Sequence, residues 1–497
     1  MFKLIKATAV VSIATVVTIF AGLVKAKFTA VALGPTGVGV FSQASNFLQL
    51  LVTISTLGIG LGVTKYISKY NSEGNTAGIE GTVASAFWLQ AIMSSAVVVV
   101  VLLFSKAVST MLFASQGYGL YLFLGALGVP FFVLAVASET VLLGFGEYRS
   151  FTKAKSLSAL LVLVPLVVLI HFMHIEGAFL YLAIGGLVTF LVYYFFLCRT
   201  APKFAPLNIF NSAGIRNFRN GVRSFGKDLL PYGATTFVTS ILGMVNIVFL
   251  RSLLIWKFGP DANGFYQVVF TMSAYYLTLF TNGLWSYFYP KVSATEDRRV
   301  FSLEVNYAVR FAIFGIIPFI AGLFLFRYVL IHLVFSKDFI YSADLFATQL
   351  FGDLFYILFY IMGTALLAGL KFKAYLVFSI SYSALLIGSF VALMNVAGIK
   401  TVTISYLITN AVMFIAVISY YLRGLGLILY IRNVKLLLSA SALLTVIFFF
   451  GRDNLVMGVL KVALLAVWVF FLSRRTEKTR FKKFAYVRIR GLLGYEK

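Results

Sequence analysis

The feature that constrains this chain most is a succession of apolar segments, nearly all long enough to cross a bilayer, with little polar sequence between them. Fourteen can be read, at about 7–31, 40–64, 82–105, 118–143, 156–171, 177–197, 231–255, 264–288, 305–326, 345–369, 374–394, 402–422, 436–450 and 455–473. A chain of 497 residues that is 61% hydrophobic and 11% charged cannot present such surface to water. The runs are also too long for the alternating strands of an outer-membrane barrel, so helices are the spanning solution that satisfies the backbone. The expectation is an all-α polytopic membrane protein of about fourteen transmembrane helices, with no room for a sizeable soluble domain.

The formal net charge of +25 resembles the signature of a nucleic-acid binder, but its placement points to topology. With the N-terminus inside, most of the 41 Lys and Arg residues fall on the cytoplasmic side, which predicts that both termini are cytoplasmic. The largest contributions come from a linker carrying Arg199, Lys203, Arg216, Arg219, Arg223 and Lys227, and from the tail from Arg474 onward. Both suit retention beside anionic headgroups, so membrane lipids and not nucleic acid are the expected partners. The first segment follows Lys3 and Lys6 but is too long for a signal peptide, and it is expected to be retained. A single cysteine, Cys198, excludes an intramolecular disulfide and reads as a packing residue.

An internal echo organises these segments. "LGPTGVGVFSQ" from Leu33 returns as "FGPDANGFYQ" from Phe258, with Gly34 and Pro35 matching Gly259 and Pro260, and Phe41 and Gln43 matching Phe265 and Gln267. Thr56, Gly58 and Ser68 recur as Thr281, Gly283 and Ser293, and "TVLLGFGEYRSF" from Thr140 resembles "TALLAGLKFKAY" from Thr364. The chain therefore reads as a duplication: a six-helix lobe over 1–197, a basic cytoplasmic linker over 198–230, and a second six-helix lobe over 231–422. An even number of spans per copy makes the repeat parallel, about an axis along the membrane normal. A helix pair at 423–473 and a basic cytoplasmic tail at 474–497 have no counterpart in the repeat.

A charge inside a span costs roughly 3 kcal/mol at the bilayer centre, so each one needs a wet cavity, a partner or an escape to the interface. Lys25 and Lys27 lie late in the first span and Arg251 late in the seventh, at matching levels of the two copies. They are candidate cavity cations facing one another between lobes, with snorkelling to the headgroups as the alternative. Snorkelling is the favoured reading for Arg310 and Lys461 near span ends. Asp353, deep in the tenth span, cannot snorkel; it either pairs with a base or titrates and couples transport to an ion. Glu139 is a second candidate of that kind, nearer a span end and more suited to pairing. Asn46, Gln49, Asn246, Asn282 and Asn410 either line a wet passage or bond helix to helix.

Catalytic patterns are absent from the sequence. His171 and His174 fall in one predicted external loop and His332 in another, a poor basis for a metal site. No Walker sequence is present, and the Gly-rich "GPTGVG" joins two spans, where its glycines suit a tight turn and close helix contact. No metal or cofactor is expected, and the chain does not read as an enzyme.

Together, "LGPTGVGVFSQ", "GVTKYISKY" from Gly62, "YPKVS" from Tyr289 and "DLFATQLFGD" from Asp344 make the chain similar to the O-antigen translocases. These are the Wzx-type polysaccharide flippases of the superfamily that includes multidrug MATE exporters, and the resemblance, over roughly positions 5 to 422, is to the enterobacterial-common-antigen branch. It implies an inner-membrane flippase that moves undecaprenyl-pyrophosphate-linked oligosaccharide from the cytoplasmic to the periplasmic leaflet, with polysaccharide polymerase machinery as a candidate partner. Lys27, Lys65, Arg251 and Asp353 match the family pattern; Lys25 does not obviously, and Arg310 stands where a base is expected. Members of this branch usually stop after twelve spans, so the last helix pair and tail depart from it. The rival readings are a flippase for the lipid-linked peptidoglycan precursor, a MATE-type multidrug antiporter, and a membrane polymerase or ligase.

Overall fold

Long apolar runs become long helices because a helix closes its own hydrogen bonds where no water can. The computed structural model describes residues 2–202, 237–295, 297–424, 430–449 and 455–477, and every regular element among them is helical. Among these residues, ten helical stretches are long and apolar enough to cross a membrane, and Val456–Phe470 is a shorter apolar helix. The sequence reading has fourteen segments. Part of the difference is that two of the ten stretches each run through two segments: Ile13–Ser55 bends at Gly34 and Tyr148–Thr200 at His174. The basic linker beyond 202 and the tail beyond 477 lie outside the described residues.

Both bends reverse the chain. On one straight helix Lys25 and Phe41 would stand about 24 Å apart, yet Lys25 Nζ lies 4.9 Å from the centre of the Phe41 ring. At the second bend Gly177 packs against the Leu169 carbonyl across the turn made by His174, whose φ is 48°. Gly34 has φ 62° and ψ −174°, a region open essentially to glycine alone, and Pro35 follows at the start of the next helix, where a missing N–H is no loss. The second copy repeats the device: Gly259 has φ 86° and Pro260 opens the next helix.

The residues cluster into two compact units. The first comprises Met1–Tyr275, Tyr328–Leu345 and Phe372–Thr409, so it draws helices from both sides of the basic linker. Within it, helix Phe237–Phe258 is packed on two faces. Val248 and Ile255 join a cluster built on Phe41, Phe47, Val133 and Phe179, while Leu250 and Leu254 join Tyr266, Leu386, Phe390 and Val402. In lipid, such contacts hold helices together by close packing more than by apolar burial.

The second unit comprises Tyr276–Arg327, Phe346–Lys371 and Asn410–Lys497. Its helix Arg298–Leu325 buries Val305, Val309, Ile313, Ile316, Ile317 and Ile320 along one stripe. The helix pair unmatched in the repeat is joined to this helix by a buried polar network. Asn433 donates to the Asn306 carbonyl and side-chain oxygens at 2.9 Å each, and accepts from Arg310 Nε and Nη2 at 3.2 Å each. Replacing Asn433 with leucine is expected to lower the thermal unfolding midpoint of the detergent-solubilised protein, at about 1–3 kcal/mol for each buried group left unpaired. An unchanged midpoint would remove the network from the account of how the pair is held.

Candidate functional site

The two Gly-Pro hairpins do more than mark equivalent places in the sequence, since they pack on each other reciprocally. Thr36 donates to the Asp261 carboxylate, its own repeat equivalent. A Cβ added at Gly39 would collide with the Pro260 carbonyl oxygen, and one added at Gly264, the equivalent position, would collide with that of Pro35. This exchange of equivalent contacts is what a two-fold axis passing between Thr36 and Asp261 requires. The tight turns and close helix contact expected of these glycines are both present, but at different residues. Gly34 and Gly259 serve the backbone torsion, with open space around an added Cβ, whereas Gly39 and Gly264 serve the approach.

By helical rise the three cations of the first and seventh spans stand about 10 to 14 Å below their hairpins, and of the three Arg251 is the one bonded into this contact. Arg251 is about 10 Å from the end of its helix by rise, and it is 1% exposed. Its Nη1 donates to Ser42 Oγ at 3.3 Å and to Asn263 Oδ1 at 3.1 Å. Asn263 in turn donates to the Gly39 carbonyl at 2.7 Å and to Ser42 Oγ at 3.2 Å, so the guanidinium, both hairpins and the helix after each are one network. The rings of Tyr266 and Phe270 lie 5.1 and 4.9 Å from the guanidinium carbon, close enough for cation–π attraction to offset part of its burial. Nε and Nη2 have no hydrogen-bond partner among the described residues.

Lys27 donates to the carbonyl oxygens of His332 at 3.0 Å and Phe335 at 2.7 Å, closing the C-terminal end of helix Arg327–Val334, where a cation is favoured. Lys25 Nζ sits 4.9 Å from the ring centres of both Phe41 and Tyr181. All three cations are therefore engaged by neutral oxygens or aromatic faces. Gln43 reinforces the same region by donating to the Val248 carbonyl at 3.0 Å and to Ser252 Oγ at 2.8 Å.

The remaining candidates lie elsewhere. Lys65 is exposed on helix Gly60–Ser72, and Arg310 is held by Asn433. Asp353 is fully buried and accepts from the Tyr276 hydroxyl at 2.5 Å and the Gln349 amide at 3.4 Å. Glu139 accepts from the Tyr193 hydroxyl at 3.3 Å. Asn246 bonds helix to helix through Ser383 at 2.7 Å. Among the described residues no three His, Cys, Asp or Glu side chains converge as metal ligands. Sequence reasoning passed over Ser42, Asn263, Thr36 and Asp261. Their signal was position, inside the duplicated hairpins, together with Asn263 standing where the first copy has Val38.

Comparison with known proteins meets this architecture from another direction. The family described as polysaccharide biosynthesis protein matches residues 4–293, more than half of the chain. The lipid III flippase of Escherichia coli (strain K12) is 26% identical over 390 residues, covering 77% of this chain and 90% of that protein. The solved structure of the lipid II flippase MurJ, inward closed, has a TM-score of 0.71 at 16% identity over 95% of this chain and 99% of that one. An inward-facing multidrug-resistance MATE family transporter of the MOP superfamily has a TM-score of 0.67 at 15% identity, over 86% and 95%. The share matched to the lipid II flippase is too large to stop at position 422, so the last helix pair belongs at least partly to the shared fold. With its N-terminal half and both hairpins inside the matched region, this chain belongs to the polysaccharide biosynthesis protein family and has the fold of the MATE-like transporters and flippases.

Proposed function

We propose that the protein is a flippase for lipid-linked glycans in the bacterial inner membrane, moving undecaprenyl-pyrophosphate-linked units of O-antigen or a related polysaccharide to the periplasmic leaflet by alternating access. The observation that carries this reading is Arg251, buried behind the hairpin contact with only neutral hydrogen-bond partners among the described residues, while Lys25 and Lys27 stand at a similar depth on different faces of the first helix. A pyrophosphate is a strong charge-assisted acceptor, and near a low-dielectric contact such cations hold it better than in water. With the N-terminus cytoplasmic, both hairpins are periplasmic, and their packing closes that side. The relative named lipid III flippase supports a lipid-linked cargo. A peptidoglycan lipid precursor is the second reading, favoured by the extent of the match to the lipid II flippase. An organic-cation antiporter would need accessible acids, whereas Asp353 and Glu139 both accept from tyrosine hydroxyls.

The test is flipping of a fluorescent undecaprenyl-pyrophosphate oligosaccharide in proteoliposomes, scored by quencher accessibility. Arg251→Ala and Lys27→Ala are each expected to slow it about tenfold, equivalent to ~1.4 kcal/mol, without lowering membrane insertion. Normal flipping by the double variant, or cargo-independent export of an organic cation, would sink the reading.

A further inference from the structure

Burying a guanidinium is expensive unless its donors are met. Arg251 is buried almost completely, yet among the described residues only Nη1 has hydrogen-bond partners, and those are the neutral oxygens of Ser42 and Asn263. A lock built only for strength would place a carboxylate there. The acid of the hairpin contact is Asp261, which takes the Thr36 hydroxyl and sits in the first turn of helix Pro260–Gly283, where the helix N-terminus favours its charge. The arrangement therefore holds the hairpins together with a cation that any suitably placed anion binds better than its present partners do.

The same oxygens fasten the rest of the contact. Asn263, which accepts from Arg251, donates to the Gly39 carbonyl at the point where Gly39 meets Pro260. Withdrawing Arg251 from Asn263 and Ser42 loosens the network at the crossing of the two hairpins. Only a ligand with different affinities for the two arrangements can shift such an equilibrium, and a pyrophosphate competing for Arg251 has that difference.

We propose that Arg251 is a partner-exchange latch: an anionic, pyrophosphate-bearing lipid takes the guanidinium from Ser42 and Asn263, and this exchange lets the Gly39/Pro260 and Gly264/Pro35 hairpins part. The proposal rests on the flippase reading and adds the trigger for opening. It makes the anion the signal as well as the cargo, so an empty transporter keeps this side shut.

Two reporters follow from burial. Val38, beside Gly39, and Ala262 are each 4% exposed, and Ala262 owes its burial to the separate cluster of Leu250, Leu254, Phe390 and Val402, so the first reports the contact and the second the fold. In a Cys198→Ser background, Val38→Cys is reconstituted in nanodiscs and labelled with a membrane-impermeant maleimide, with Ala262→Cys as the control that stays unlabelled in the folded protein and protection of the Thr36–Asp261 pair from crosslinking as the second measurement. Undecaprenyl pyrophosphate in the disc is expected to raise labelling about tenfold, within the range for coupled sites, while undecaprenol does not. Arg251→Gln is expected to remove that response. A Thr36→Cys, Asp261→Cys disulfide, made in the reporter background, is expected to hold labelling at its basal level until reduced. An equal response with Arg251→Gln overturns the latch, as does undecaprenyl pyrophosphate that binds, by tryptophan quenching, without raising labelling. If that lipid fails to bind while tetraphenylphosphonium binds and opens the contact, the flippase reading falls as well.

Discussion

Replacing Gly39 with valine is expected to cut lipid-linked glycan flipping by about five- to a hundredfold, from an overpacking cost of about 1–3 kcal/mol, while the protein still inserts and purifies as a single species. The reason is local and steric. The position faces the Pro260 carbonyl, and backbone at a helix start cannot rotate away as a long side chain would. The hairpins must therefore separate, and the state closed on this side loses population. Maleimide labelling of Val38→Cys should then be high without any lipid while Ala262→Cys stays unlabelled, which distinguishes a contact held open from a protein that has lost its fold. Gly34→Ala is the control. Its added Cβ meets nothing within 4 Å, so its cost is backbone strain alone, about 1–3 kcal/mol. It should lower the unfolding midpoint without opening the contact. If Gly39→Val flips normally, hairpin packing is not part of the transport cycle.

The contrast between these two glycines shows what the sequence made legible. A Gly-Pro pair after a long apolar run states its own geometry, because glycine takes the torsion at Gly34 and the positive φ at Gly259 without strain and proline suits the helix start that follows. The duplication was readable for the same reason, since both copies keep the device. Reciprocal packing was not readable, because spacing in a repeat gives equivalence and says nothing about distance. Thr36 and Asp261 are different residue types at equivalent positions, and their pairing emerges only when the axis is placed between them.

The charges divide in a similar way. Sequence alone brought Lys25, Lys27 and Arg251 to one level, because helical rise converts residue number into depth. What each cation touches depends on side-chain direction and on segments far away in the chain. The carbonyls of His332 and Phe335 that receive Lys27 belong to a short helix end with no charge to advertise it. Arg310 was expected to serve a cavity or to snorkel, and the residue that receives it, Asn433, sits on the helix pair for which the repeat offered no template.

Asp353→Asn is expected to leave folding nearly unchanged and to abolish the acceleration of flipping by a pH gradient, because Asp353 is our candidate for ion coupling. The geometry allows the two roles of this residue to be separated. Its carboxylate accepts from Tyr276, on helix Pro260–Gly283, and from Gln349, one turn earlier on its own helix. An amide in its place keeps one oxygen for Tyr276 and turns a donor toward Gln349. Gln349 can meet that donor by rotating its own amide, since its Oε1 has no hydrogen-bond partner among the described residues. The isosteric change thus removes the ionisable group while a hydrogen bond survives on each side. Asp353→Leu removes both, at about 1–3 kcal/mol for each buried donor left unmet, and should lower the unfolding midpoint by several degrees. A purely structural aspartate predicts that Asp353→Asn keeps the gradient response. A coupling aspartate predicts that basal flipping persists while the imposed gradient no longer changes its rate, and proteoliposomes measured with and without that gradient separate the two outcomes.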